Sequence, residues 1–373
     1  MTISPDLYRR ILSTSTARPR SRSAREHQLQ RMLSRIMSAT VFDQESLKFP
    51  TLAPERVFIA KIRDYQRVTS SYYYDDKVRA AVKEKIPWER LSKAAAEKVR
   101  LLEDKCLGAK DLFLLELTEW FKNSFFSWFD TGTCNTPSCP QKGSAMQAIG
   151  SGQPSLEDLL WGGSRVELYQ CLSCKNQVRF VRYNHPLKLL DTRSGRCGEW
   201  ANTFTCICTV LGFETRLVLD WTDHVWTEVY SDSLNRWVHV DACEAAIDTP
   251  NVYESGWKKN LSYVVAVSRD QIQDVTWRYS LKEPNQLFLR RKDCQETWLV
   301  GFIYRMNCHF QSVLPQEKRD VLRERCAREL VQLLWTPWKE SEAKVTDMEG
   351  RQSGSEAWRR ARNELGSLKE KQG

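Results

Sequence analysis

Residues 194–202 read Ser-Gly-Arg-Cys-Gly-Glu-Trp-Ala-Asn, and an apolar helical run, Gly198–Leu211, begins inside them. Cys197 therefore opens a helix, where free backbone N–H groups and the positive end of the macrodipole stabilise negative charge on sulfur. Gly195 and Gly198 permit a tight turn and close approach of a substrate. Gly212 stops the helix as a C-cap. Cys206 and Cys208, further along it, read as small core residues.

On either side of this helix the pattern changes to β. Arg179–Tyr183 precedes it; Glu214–Leu219, Val225–Tyr230, Trp237–Asp241 and Leu261–Val267 follow. A thiolate nucleophile needs a base, and the base needs a group to orient it. Val225–Tyr230 and Trp237–Asp241 flank Ser231-Asp232-Ser233-Leu234-Asn235. A hairpin loop centred on Asp232–Ser233 sets His224 directly across from Asp241, with Cβ atoms roughly 5 Å apart. Cys197, His224 and Asp241 are thus the candidate triad. Two rivals come from the chain's five histidines. His239 shares a face with Asp241, and His185 precedes Pro186 in a loop; each alone reads as structural or surface. A register slip would separate His224 from Asp241.

Cys134-x₄-Cys139 and Cys171-x₂-Cys174 are two pairs with ligand-type spacing. Two such turns build the closed tetrahedral four-thiolate site that structural zinc prefers. Four unrelated cysteines is the alternative, and the x₄ gap leaves Cys139 the least secure ligand. Such a site folds the loops around it and has no open position for chemistry.

Composition bounds the rest. The chain has 373 residues, 41% of them apolar, enough for a core in one large domain or two modest ones. No stretch approaches the roughly 18 apolar residues of a membrane span, and no secretory h-region opens the chain. Twelve cysteines without an export signal point to metal or catalysis rather than disulfides, and the lone sequon at Asn260 then carries no information. The net charge is +9, and residues 1–40 hold eight Arg against Asp6 and Glu26. That segment reads as a solvated tail; a transit peptide and nucleic-acid contact are minor readings. The remaining chain is near neutral, and its fourteen Trp suit a core and a sugar-facing cleft.

The order along the chain is α+β. Residues 1–45 form a basic, flexible tail, with helix near Leu29–Met37. Residues 46–130 are helical, through Asp75–Val82, a run opened by Pro87, and Lys110–Trp128. Residues 131–190 are the metal-binding region, of which 131–163 read as loop. Residues 191–300 carry the candidate triad, 301–339 the C-terminal helices (Trp298–Cys308, then Pro315–Leu334), and 340–373 a charged tail.

Three blocks in these regions are familiar: Cys-Gly-Glu-Trp-Ala-Asn (197–202), Asp-His-Val-Trp-Thr-Glu-Val-Tyr (223–230) and Asp-Ala-Cys-Glu (241–244). With Arg179-Phe180, Arg182-Tyr183-Asn184 and Asp274–Tyr279, they closely resemble the cytoplasmic peptide:N-glycanases of the transglutaminase-like superfamily. The match covers residues 75–290. It implies a papain-like cysteine hydrolase core with a small antiparallel sheet, helical flanks and a Cys₄ zinc-binding insertion. The family's triad falls on Cys197, His224 and Asp241, and its zinc ligands on Cys134, Cys139, Cys171 and Cys174. Trp128 matches the tryptophan beside the oxyanion site, and Glu244 a substrate-contacting acid. Trp221 and Trp226 are sugar or peptide contacts, or else core.

The implied reaction removes N-glycans from misfolded glycoproteins, converting Asn to Asp, in the cytoplasm and also the nucleus. The implied partners are denatured N-glycoproteins and a proteasome-shuttle ubiquitin receptor, with no nucleic acid and no membrane span. Two features depart from the family: the x₄ gap replaces x₂, and neither its N-terminal partner-binding domain nor its C-terminal mannose-binding sandwich has a counterpart, leaving a catalytic core. A transglutaminase keeps the triad but passes the acyl group to an amine; a non-enzymatic scaffold is the reading of another class. Intact triad positions argue against the scaffold, and the four-Cys loop with Asp-Ala-Cys-Glu argues for the glycanase.

Overall fold

A computed structural model describes residues 53–101, 107–282 and 284–334. The expected tails at 1–45 and 340–373, with the helix near Leu29–Met37, lie outside the described residues.

Helices lead: α1 (Ala53–Ser70), α2 (Asp76–Lys85), α3 (Trp88–Leu101) and α4 (Ala109–Trp120). Asp75 caps α2 by accepting the N–H groups of Lys77 and Val78 at 2.9 and 3.2 Å, donors that a first turn leaves free. The helix expected over Lys110–Trp128 stops short. After α4 comes a π-helical turn, Phe121–Phe125, and then an extended pair, β1 (Ser127–Trp128). Aromatic packing explains the break: the rings of Phe121 and Phe126 stack 5.3 Å apart, and both meet Trp200 edge-on. Residues five apart point about 140° away from each other on a regular helix, so that stack requires the chain to leave it.

Next comes a three-stranded antiparallel sheet of β2 (Gln147–Gly152), β3 (Val166–Gln170) and β4 (Gln177–Val181), with α5 (Leu156–Leu160) after β2. β2 corrects the expectation of loop throughout 131–163. Its glycines hide it from a compositional reading, yet Gly150 is functional in the strand: at φ +135° it sits where the register with β3 shifts, a bulge position open to glycine.

After α6 (Pro186–Thr192), β5 (Ser194–Gly195) and α7 (Cys197–Val210) comes the main sheet. Its strands are β6 (Thr215–Asp220), β7 (His224–Ser231), β8 (Arg236–Asp241), β9 (Ala246–Ile247), β10 (Val264–Val267) and β11 (Ile272–Asp274), in the order β11-β10-β6-β7-β8-β9, all antiparallel neighbours. Then follow α8 (Thr276–Tyr279), α9 (Pro284–Phe288), α10 (Glu296–Gln311) and α11 (Gln316–Leu334).

Along β7, His224, Trp226 and Glu228 face one way and Val225, Thr227 and Val229 the other. Helix α7 covers the second face, joined by a 2.8 Å hydroxyl pair between Thr205 and Thr227. The first face lies under a second π-helical turn, Val252–Gly256, with Tyr253 stacked on Trp226 at 4.2 Å. It also lies under α8 and α11. There Arg216 binds Glu228 and Glu329, each at 2.5 Å, and Arg278 binds Glu329 at 2.7 Å, all fully buried. Burial on both faces gives these strands near-complete burial without strict alternation, with β10 (Val-Val-Ala-Val) apolar throughout and β6 and β7 burying paired charges instead. Among the described residues no helix is long and apolar enough to cross a membrane.

Candidate active site

The Gly-Arg-Cys-Gly-Glu-Trp-Ala-Asn stretch is a set of braces around one sulfur. Cys197, half-buried, is the first residue of α7. Glu199 Oε2 accepts the Arg196 N–H at 2.8 Å and closes the helix start, while Glu199 Oε1 accepts from Arg182 Nε at 2.6 Å. Trp200 Nε1 donates to the Gly195 carbonyl at 3.1 Å, and Asn202 Nδ2 to Asn184 Oδ1 at 2.9 Å. A Cβ on Gly195 would lie 2.3 Å from Glu199 Cβ, so this glycine is required; Gly198 has open space, with only Arg182 Nη2 near, at 3.8 Å. The short parallel pairing of β1 with β5 sets Trp128 beside Gly195, next to the turn that carries Cys197.

His224 Nε2 and Asp241 Oδ2 are 2.8 Å apart and both residues are buried. Cys197 also acts on this imidazole, and with Nε2 on Asp241, Nδ1 is the nitrogen left for a sulfur. Burial opposes a charged ring, but the Asp241 carboxylate and Cys197 outweigh it and raise His224 to about 10. Burial likewise opposes charge on Asp241, and the donors around it hold its carboxyl down at about 2.

The contact forms in a register other than the expected one. The β7–β8 ladder pairs Ser231 with Arg236, Glu228 with His239 and Thr227 with Val240. Continued, it sets Asp241 across from Trp226, and His224 lies one diagonal step beyond. The turn causes the shift. It spans Asp232–Asn235, with the Leu234 N–H donated to Ser231 Oγ at 3.1 Å, Tyr230 Oη donating to Asn235 Oδ1 at 2.6 Å, and Asn235 left-handed at φ 52°. A displacement of two residues preserves the face, and diagonal neighbours roughly 7–8 Å apart remain within reach of long side chains.

Neither rival histidine reaches the sulfur. His239 is buried opposite Glu228 and bonds Tyr253 Oη at 2.7 Å; burial lowers it to about 4. The absence of an acid across from His239, which the expected register implied, is thereby corrected, although Glu228 is taken up by Arg216, Arg278 and Tyr279. His185 caps α6, its Nδ1 accepting the Leu187 N–H at 3.2 Å.

Of the four proposed contact residues, Trp128 stands beside Gly195 and the other three divide. Trp226 is fully buried in the core, so it touches no substrate; its stack on Tyr253 could not be inferred from spacing. Trp221 is half-buried, stacked on Phe58 at 4.2 Å with the Lys61 ammonium 4.3 Å from its ring centre. Glu244, also half-buried, lies 3.8 Å from Lys122 Nζ. Sequence reasoning missed Tyr65 of α1. It packs against the cluster of Phe58, Ile62 and Tyr263, and burial first, then the charges of Cys197 and Glu199, push its phenol well up.

The four paired cysteines converge. Their sulfurs all lie within 4.8 Å of one another, with Cys134–Cys174 at 3.5 Å and Cys139–Cys171 at 3.6 Å. A tetrahedral ion with bonds of about 2.3 Å sets its sulfurs about 3.8 Å apart, so the group can hold a metal, Cys139 included despite its x₄ spacing. The thiols themselves differ: the Asn176 N–H lowers Cys174, whereas burial raises Cys139 to about 11, so it is the convergence of the four sulfurs that marks the site.

Two family models match: the transglutaminase-like superfamily over residues 161–242 and the Rad4 transglutaminase-like domain over 221–313. Curated proteins named peptide-N(4)-(N-acetyl-beta-glucosaminyl)asparagine amidase match more widely. Those of Gallus gallus and Homo sapiens are each 44% identical, over 76% and 75% of this chain and 42% of their own lengths. That of Arabidopsis thaliana is 38% identical over 92% of this chain and 46% of its own length. The chain thus spans less than half of each. A crystal structure of Rad4–Rad23 bound to a 6-4 photoproduct UV lesion aligns with 86% of this chain and 61% of its own, at 12% identity and a TM-score of 0.45, a likeness too slight to bear on function.

Proposed function

From a chain that carries a transglutaminase-like domain and is homologous over three quarters of its length to peptide-N(4)-(N-acetyl-beta-glucosaminyl)asparagine amidases, we propose a cysteine amidase that removes N-linked glycans from misfolded glycoproteins. The observation that carries the reading is the 2.8 Å contact of His224 with the buried Asp241, with Cys197 at the start of α7 acting on the same ring. The Cys197 sulfur attacks the side-chain carbonyl of the glycosylated asparagine. The resulting oxyanion is held by the Cys197 backbone N–H, with Trp128 alongside. His224 gives a proton to the leaving glycosylamine nitrogen, and the C–N bond breaks to leave a thioester. His224 then takes a proton from water, whose oxygen displaces the sulfur and leaves aspartate. The free glycosylamine loses ammonia on its own.

The ion of the four-cysteine group is zinc in this reading, since four thiolates and no open position match a structural zinc site. Denatured N-glycoproteins in the cytoplasm and nucleus are the substrates, and a proteasome-shuttle ubiquitin receptor is the partner the sequence blocks imply. The test is mass spectrometry of a denatured N-glycoprotein after incubation. Glycosylated asparagine should appear as aspartate; Cys197→Ala should abolish this with folding and metal content kept, and Cys206→Ala should not. An untouched glycoprotein, or turnover by Cys197→Ala, sinks the reading. Amine incorporation at glutamine instead would make the chain a transglutaminase.

A further inference from the structure

Behind Asp241 runs a buried file of polar groups that the mechanism above does not use. The Thr249 N–H points at His239 Nδ1 from 3.4 Å, so in a neutral ring the proton sits on Nε2. That nitrogen lies 2.7 Å from Tyr253 Oη, and donates to it. With its oxygen engaged from that side, the tyrosine sends its own proton to Asp241 Oδ2, 3.1 Å away. Oδ2 is also the oxygen that His224 Nε2 contacts. Asp241 Oδ1 takes the Cys243 N–H at 3.0 Å.

We propose that Tyr253 and His239 are positioning residues of the triad: His239, held as the Nε2–H tautomer, directs the Tyr253 hydroxyl onto Asp241, fixing the carboxylate and tempering its pull on His224. The inference rests on the triad reading above and deepens it. Three further facts support it. Tyr253 cannot swing away, because its ring stacks on Trp226 at 4.2 Å and its backbone forms a π-helical turn, a feature frequent at functional sites. His239 stays uncharged, since burial lowers it to about 4. The charged groups that face it are engaged elsewhere: Glu228 across the ladder with Arg216, Arg278 and Tyr279, Asp248 with Arg236, and Asp241 on its own strand with His224.

Three variants separate this from a merely structural role. Tyr253→Phe removes one oxygen and keeps the stack. His239→Met fills the space but has no N–H for the tyrosine oxygen, whereas the side-chain amide of His239→Gln can supply one. The readouts are the pH profiles of glycan release and of Cys197 alkylation by iodoacetamide, the second independent of what the enzyme's substrate is. An untempered Asp241 holds the imidazolium more strongly, so in Tyr253→Phe the alkaline limb of alkylation should move up by about one pH unit. Turnover should fall roughly 10- to 100-fold with KM unchanged. His239→Met should behave the same way, and His239→Gln should return towards wild type. Profiles of Tyr253→Phe that superpose on wild type overturn the proposal. So does nitrogen NMR of the wild-type protein placing the neutral His239 proton on Nδ1, a measurement that needs no variant to fold. A wild-type protein that alkylates as expected but releases no glycan would count against the amidase reading and leave this one standing.

Discussion

Asp241→Asn is the sharpest probe of the site, because the substitution changes almost nothing but the pattern of donors. The carboxylate takes three: His224 Nε2 at 2.8 Å, Tyr253 Oη at 3.1 Å and the Cys243 N–H at 3.0 Å. An amide offers one oxygen and one NH₂, so whichever way it turns a donor meets a donor. If the NH₂ faces His224, the ring proton is forced onto Nδ1, the nitrogen that must receive the proton of Cys197. The size of the effect follows from the ring. His224 is raised from an ordinary 6.5 to about 10, with Asp241 the foremost of the groups that raise it and Cys197 adding to it. That corresponds to ~5 kcal/mol at about 1.4 kcal/mol per pH unit. If Asp241 supplies most of it, turnover should drop by roughly 10³- to 10⁴-fold. The assay is the initial rate of glycan release from a denatured glycoprotein, beside a thermal melt to establish that the variant is folded. A folded Asp241→Asn protein working within tenfold of wild type would refute the argument that Asp241 orients and charges His224.

Two further outcomes are expected. The purified protein should hold about one zinc per chain, and Cys171→Ser should lose it with a larger fall in melting temperature than Cys294→Ala or Cys326→Ala; folded, active protein without metal would contradict this. Stability should also decline on mild acidification because of His239. Its folded value, about 4, lies below the ordinary 6.5, so stability is complete above pH 6.5 and is lost as pH falls towards 4, where the unfolded chain alone binds the proton. The loss amounts to ~3 kcal/mol, read by denaturant titration at pH 7 and pH 4.5, and His239→Gln should flatten it. His224 leaves that window unchanged: its raised value adds stability that is complete below 6.5 and lost only as pH climbs towards 10. A wild-type slope identical to that of His239→Gln would mean that His239 is not buried neutral.

How far the sequence could be read depended on whether a feature repeats locally. The start of α7 was legible from glycine and cysteine placement, and the strands from their apolar runs. The face shared by His224 and Asp241 was legible too, because strand periodicity survives an error of two residues. The register itself was not, since it hangs on the left-handed Asn235 and on Ser231 capping the turn. Trp226 shows the same limit from another side. Nothing in its neighbours distinguishes a cleft tryptophan from one stacked on a tyrosine some 27 residues later in the chain. The Arg216–Glu228–Arg278–Glu329 cluster joins four separate elements, β6, β7, α8 and α11, and leaves no periodic trace in any of them.

The position of the cysteine cluster gives it a bearing on the chemistry beyond folding its own loops. Cys171 and Cys174 lie in the turn that joins β3 to β4, and this hairpin sends two charged side chains to the turn that holds the nucleophile. From β3, Glu167 grips the Arg196 guanidinium at 2.7 Å, in a pair buried on both sides. Just past β4, Arg182 grips Glu199 at 2.6 Å. Arg196 and Glu199 bracket Cys197 in sequence and close the first turn of α7. Breaking a buried pair by displacing one partner costs about 3–5 kcal/mol, far more than the tilt of a single side chain. Were a metal held there and then removed, a loosened lobe would pull on Glu167 and Arg182, and through them on that turn, before it reached the main sheet. His224 and Asp241, anchored on β7 and β8, would stay in place while the sulfur moved.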